Sequence, residues 1–163
     1  GVTRPPEGMV LQPSATIFDV SMIVVGAMII IASLLVHRGF GRRAVTIPLL
    51  VLGVGALGVG IFPGNTGTPH ALFAMATFIA GGVACLTGAL VTRGPFRWLS
   101  VLCGSVALLT LASYLVMQEA APLAVLGTGG VERWIVYPIV LWVTGFGGYV
   151  AGTAEAGRET MAP

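Results

Sequence analysis

Five long apolar runs lie between Ser14 and Val150, separated by short polar breaks, and the charges fall in the breaks or beside them. A helix needs roughly 20 apolar residues to cross a hydrocarbon core about 30 Å thick. The pattern therefore predicts five spans: Thr16 to Val36, Val45 to Phe62, His70 to Val91, Trp98 to Met117 and Val131 to Val150. Each span is roughly 18 to 22 residues long, enough for one crossing. Each is apolar on every side, as a lipid-embedded helix must be. The expected fold is all-α: a polytopic transmembrane helical bundle of five spans, with the 163 residues forming a single domain.

Composition supports this picture. The chain is 56% hydrophobic and only 9% charged, with a mean hydropathy of +0.97. Soluble domains carry roughly 25% charged residues, so this chain lacks the polar surface to sit in water. The tails, Gly1 to Pro13 and Ala151 to Pro163, are too short and polar to fold alone.

The arginines give a direction. All eight basic residues are arginine; Arg38, Arg42 and Arg43 fall in the first break, with His37, and Arg93 and Arg97 in the third. The breaks Pro63 to Pro69 and Gln118 to Gly130 contain no arginine. Short cytoplasmic loops accumulate Lys and Arg, so the arginine-bearing breaks are expected inside a cell membrane. The N-terminus of this chain is then outside and its C-terminus cytoplasmic. No signal-peptide pattern precedes the first run, and an outside N-terminus needs one or a preceding span. An additional helix ahead of Gly1 is therefore expected in the native gene product.

Start signals and small residues refine the helices. Thr16 with Asp19 resembles a capping box, and Thr68-Pro69 an N-cap followed by a first-turn proline. Thr46 is placed to cap the second span, leaving Pro48 in its tolerant first turn, whereas Pro138 should bend the fifth. Small residues form rows: Ala56 and Gly60 near Gly53, Gly55 and Gly58; Ala80, Ala84 and Gly88; Thr144, Gly148 and Gly152. Such rows let helix backbones approach closely in lipid. Packing within the bundle is the plain reading, and a homo-oligomer face is the sharper one.

With that orientation the polar residues gather at the outer face: Asp19, Asn65, His70, Glu119, Glu132, Arg133 and Tyr137. His70, Glu132 and Asp19 are the candidate catalytic residues, since histidine moves a proton near neutral pH and carboxylates serve as bases. Arg133, Tyr137 and Asn65 are the candidate ligand-binding residues, with Arg133 suited to a phosphate. Each has a structural alternative. A carboxylate in a first helical turn is favoured by the helix dipole, and Glu132 is the third helical residue if Gly129 is the N-cap. Arg133 can snorkel to headgroups, and Trp98, Trp134 and Tyr137 suit aromatic belts. The expected convergence is of His70, Glu132 and Arg133 on one outer-leaflet cavity, with Asp19, Asn65 and Tyr137 around it.

Other chemistries fit poorly. A zinc site needs three or four ligands, usually with more than one His or Cys, and this face has one histidine, so no metal is expected. Ser14 and Ser21 lie outside any nucleophile-elbow sequence. Cys85 and Cys103 fall mid-span, where thiols act as small hydrophobes. The dispersed arginines form no stripe for nucleic acid.

The segments SATIFDVSMIVVG, GIFPGNTGTPHALFAMATF and GVERWIVYPIVLWVTGFGGYV resemble a prokaryotic membrane family catalogued as domain of unknown function 998. The telling piece is FPxNxGxxH, ending at His70, paired with ERxxVYPxxLW, which begins at Glu132. The resemblance covers the chain from Gly1 to about Gly152. It implies a six-helix protein whose first helix ends shortly before the position of Gly1. The family pattern often has Asn where this chain has Asp19, so it implies no shared role there.

Three functional readings follow. The first is a small membrane protein with a polar pocket at the outer face, which binds a lipid or small molecule or serves as an accessory subunit of a membrane complex. The second is an intramembrane lipid-modifying enzyme using His70 and Glu132. The third, a transporter, lacks mid-membrane charges and an inverted repeat. Membrane lipids are the expected partners, with other membrane subunits or a second copy as further ones; the sequence names no cofactor.

Overall fold

The computed structural model describes residues 12–159, and among these every regular element is helical. The five long helices are α1 (Ser14–Phe40), α2 (Arg43–Ile61), α3 (Thr68–Gly88), α4 (Pro95–Met117) and α5 (Gly127–Glu159). Single 3-10 turns, Gly64–Thr66, Gln118–Ala120 and Ala124–Leu126, occupy the breaks after α2 and α4. All five helices are long and apolar enough to cross a membrane. Their surfaces agree, because large apolar side chains stand open: Met28 is 63% exposed, Leu109 69% and Val116 83%. A soluble monomer does not carry so much continuous apolar surface, whereas hydrocarbon is its natural solvent.

The first and last helices outrun the hydropathy at their C-terminal ends. α1 continues past Val36 through His37 and Arg38 before Gly41 stops it. Gly41 takes φ +63°, open to glycine without steric cost, and its N–H caps the His37 carbonyl at 2.8 Å. α5 continues past Val150 to Glu159, so part of the polar tail is helix rather than loose chain.

Several expected caps are displaced. α1 begins at Ser14 behind Pro13, whose carbonyl accepts from the Ile17 N–H, and Thr16 sits inside the first turn donating to the Gln12 side chain at 2.8 Å. The Thr16–Asp19 capping box is therefore not formed. α2 starts at Arg43, so Thr46 lies one turn in and Pro48 in the second turn rather than the first. Thr68 and Pro69 are the first two residues of α3, one place later than expected, and the Gly67 carbonyl accepts the first helical bond from Ala71. Because α5 starts at Gly127, Glu132 is its sixth residue rather than its third.

The chain divides into two compact units, Gly1–Ala80 and Gly81–Pro163, with α3 running through the boundary. In the first unit α2 is the hub. One of its faces meets α1, where Gly26 and Gly53 lie against each other and a Cβ on Gly26 would stand 2.8 Å from the Gly53 carbonyl oxygen. Gly60 continues that seam beneath Asp19 and Ile23. Another face meets α3, with Gly55 under Phe73 and Thr77 and Gly58 under the Phe73 ring. At the α1–α2 turn Thr46 donates to the Arg42 carbonyl at 3.1 Å. Its hydroxyl hydrogen is thus used, so it accepts from His37 Nδ1–H, also at 3.1 Å.

The second unit packs the end of α3 with α4 and α5. Gly82 and Gly104 fit against Leu108 and Leu86, and Gly88 lies under the Trp142 ring. Trp142 is fully buried, donates through Nε1 to Ser100 Oγ at 2.8 Å and stacks on Phe146. Ser100 passes its own hydrogen to the Phe96 carbonyl. Phe96 stacks on Tyr149, whose hydroxyl accepts from the Arg93 backbone N–H at 3.0 Å. The Thr144, Gly148 and Gly152 row makes no such contact: all three residues are exposed, and a Cβ on either glycine would meet no other part of the described structure within 4 Å. The internal packing expected for that row is not seen in the described residues.

Candidate functional site

In the first unit the polar residues collect around the end of α2. Helix ends leave carbonyls without partners, and the Phe62 carbonyl is one of them. His70 Nδ1 lies 2.8 Å from it. A carbonyl only accepts, so Nδ1 carries the proton and Nε2 is the nitrogen left for other chemistry. The N–H also faces the negative end of the α2 dipole. Phe62 is held from the other side by its stack on Phe73. Asp19 approaches the same turn through its backbone, beside Gly60, two residues before Phe62. Its side chain is half-buried, while Asn65 is exposed in the 3-10 turn between α2 and α3.

In the second unit the salient feature is a groove of about 780 Å³ between α4 and α5. That volume lies within the usual range for small-molecule sites, roughly 300 to 1,000 Å³. Its α4 wall is Leu99, Leu102, Cys103 and Val106, a single helix face at i, i+3, i+4 and i+7. On α5 the wall carries Arg133, Trp134, Tyr137, Pro138 and Leu141, with Leu126 and Gly130 at the end nearer the helix start. Pro138 has no N–H, so the Trp134 carbonyl on this wall lacks its usual donor four residues on.

The seam is tied on both sides of the groove. Tyr114 and Thr128 share a hydroxyl hydrogen bond of 3.3 Å toward one end, and Trp142 bonds Ser100 toward the other. These ties set the spacing of the two helices between them.

Arg133 and Tyr137, two of the ligand-binding candidates, thus line one groove. Glu132 does not. Successive helical residues are turned by about 100°, and the buried Val131, Ile135, Ile139 and Trp142 show that the core lies on another side of α5. Glu132 is exposed beside that core face, and it makes no ion pair with Arg133. Asp19, Asn65 and His70 belong to the first unit; Glu132, Arg133 and Tyr137 belong to the second. The side chain of Glu119 lies outside the described residues. Among the described residues no three His, Cys, Asp or Glu side chains gather as metal ligands. The α4 wall is what sequence reasoning missed. Its spacing was visible, but in a helix apolar all round one face does not stand out.

The family model described as "Protein of unknown function (DUF998)" matches residues 8–149. The chain belongs to this family. The matched segment of this DUF998 protein takes in both the His70 turn and the α4–α5 groove. No curated protein and no solved structure matches the chain. Five apolar helices and membership of DUF998 describe a multi-pass helical membrane protein.

Proposed function

We propose that the protein binds lipid through the α4–α5 groove, with Arg133 and Tyr137 on its α5 wall in the outer leaflet. The observation that supports this most is the groove's make-up: an apolar lining that includes one arginine and one tyrosine, both on its α5 wall. In this reading the arginine-bearing breaks face the cytoplasm, so Arg133 stands at the opposite interface of the cell membrane. The bilayer supplies the ligand directly, and no path from water is needed.

The test is native mass spectrometry of the protein released from its membrane. Wild type should carry lipid, and Val106→Trp, which fills the groove from the α4 side, should lose it while keeping its helical circular dichroism. Equal lipid on both would remove the proposal.

A second reading, an intramembrane lipid-modifying enzyme, draws support from His70. Its ring is fixed with Nε2 free, as a general base requires, and Asp19 flanks the same turn. Turnover of a radiolabelled membrane-lipid extract, abolished in His70→Ala, would favour this reading; no turnover by wild type would dismiss it.

A further inference from the structure

Which lipid the groove prefers follows from the polar residues on its α5 wall. This step rests on the lipid-binding reading above and goes beyond it. Arg133 and Tyr137 are four residues apart on one helix, so their side chains project from the same face about one turn apart. Both present hydrogen-bond donors, and the guanidinium offers five in a planar fork suited to phosphate. No carboxylate lines the groove, because Glu132 leaves α5 in another direction. Arg133 has no ion-pair partner among the described residues, so its charge is unmatched where it meets the groove. One guanidinium and one phenol without an acidic neighbour, on an otherwise apolar wall, favour an acceptor-rich anion over an amine.

Depth agrees with that choice. Trp134 and Tyr137 are half or more exposed and suit the headgroup level of the bilayer. From Tyr137 to Leu141 the α5 wall descends a further four residues, about 6 Å at helical rise, into the upper part of one leaflet's hydrocarbon. Along that descent the α4 wall offers Leu99, Leu102, Cys103 and Val106.

We propose that the groove selects an anionic glycerophospholipid, with its phosphate on Arg133 and Tyr137 and one acyl chain laid against Val106, Pro138 and Leu141. The test uses the full chain, exchanged into mixed micelles holding equal amounts of phosphatidylglycerol and phosphatidylcholine, with retained lipid read by native mass spectrometry. Wild type should retain phosphatidylglycerol preferentially. Arg133→Gln should reduce that preference roughly tenfold, the worth of one charge-assisted bond, while still holding a lipid. Arg133→Lys should keep part of it, and Tyr137→Phe should cost less than Arg133→Gln.

Four outcomes would overturn the proposal, and they are distinguishable. If Val106→Trp expels lipid but Arg133→Gln leaves the preference intact, the headgroup assignment is wrong and lipid binding stands. If neither substitution alters the bound lipid, both readings fall. If inorganic phosphate alone stabilises the lipid-free protein as much as phosphatidylglycerol does, and Arg133→Gln abolishes that, the ligand is a free anion. If Val106→Trp instead converts a dimer to a monomer without loss of lipid, the groove is occupied by a second copy.

Discussion

The α1–α2 seam and the α4–α5 seam solve the same problem in opposite ways. Both join antiparallel neighbours in lipid, where burying leucine against leucine gives little drive. α1 and α2 close the distance with glycine: Gly26 meets Gly53, Gly60 meets Asp19, and backbone touches backbone. α4 and α5 instead stay apart on bulky side chains. They are tied by Trp142 on Ser100 and by Tyr114 on Thr128, with a groove of about 780 Å³ along the seam. A glycine seam leaves no room for a guest. A seam set by aromatic ties and a helical proline leaves the room that a bilayer chain can fill.

This contrast can be broken at chosen positions, and the effects should descend in order. The largest belongs to Gly26→Val. Even a Cβ at Gly26 would stand 2.5 Å from the Leu57 backbone nitrogen, and backbone cannot give way as a side-chain tip can. The α1–α2 pair should lose about 3 kcal/mol or more, seen as a collapse in folded yield and in the midpoint of detergent-induced unfolding.

Ser100→Ala comes next. It strands the Trp142 N–H in a fully buried setting, at a cost of about 1 to 3 kcal/mol. Unfolding followed by tryptophan fluorescence should report it, and it should also blur the groove by loosening one of its ties. His70→Ala should be milder, about 1 kcal/mol, since it removes one hydrogen bond to the Phe62 carbonyl at a partly exposed helix end. Hydrogen exchange concentrated in residues 62 to 70 would locate that loss.

Leu102→Ala should change stability least, within about 0.5 kcal/mol, because this groove residue is 60% exposed and lipid can refill the space. A cost as large as that of Ser100→Ala would mean the groove wall is core, and the contrast between the seams would fail.

Most of the fold was legible because hydrocarbon imposes one rule, that roughly 20 apolar residues form one helix. Element ends were less so. His37 and Arg38 at the end of α1, and Ala151 to Glu159 at the end of α5, remain helical beyond the apolar run. Hydropathy marks where lipid ends, and a helix need not stop there. Caps failed for a related reason: Pro13 and Arg42 flank their helices without a side-chain cap, so Thr16 and Thr46 were read as starts about one turn too late.

Of the candidate residues, type was legible in the sequence and direction around the helix was not. Arg133 and Tyr137 stood out by type and by their place at the start of the fifth span, and both line the groove. Glu132 was grouped with them by depth alone, but depth does not give direction around a helix, and one residue turns the side chain by about 100°. His70 was a plain candidate from its type; its fixed ring depends on the Phe62 carbonyl, a backbone atom that carries no sequence signal.

The central claim, that the α4–α5 groove holds a membrane lipid, is tested most directly by an experimental structure of the protein in nanodiscs containing phosphatidylglycerol. The account predicts continuous density along the groove from Arg133 to Leu141, with its bulkier end at the guanidinium. An α4–α5 seam closed over Cys103 and Pro138, or a groove filled by a helix of another chain, would contradict it.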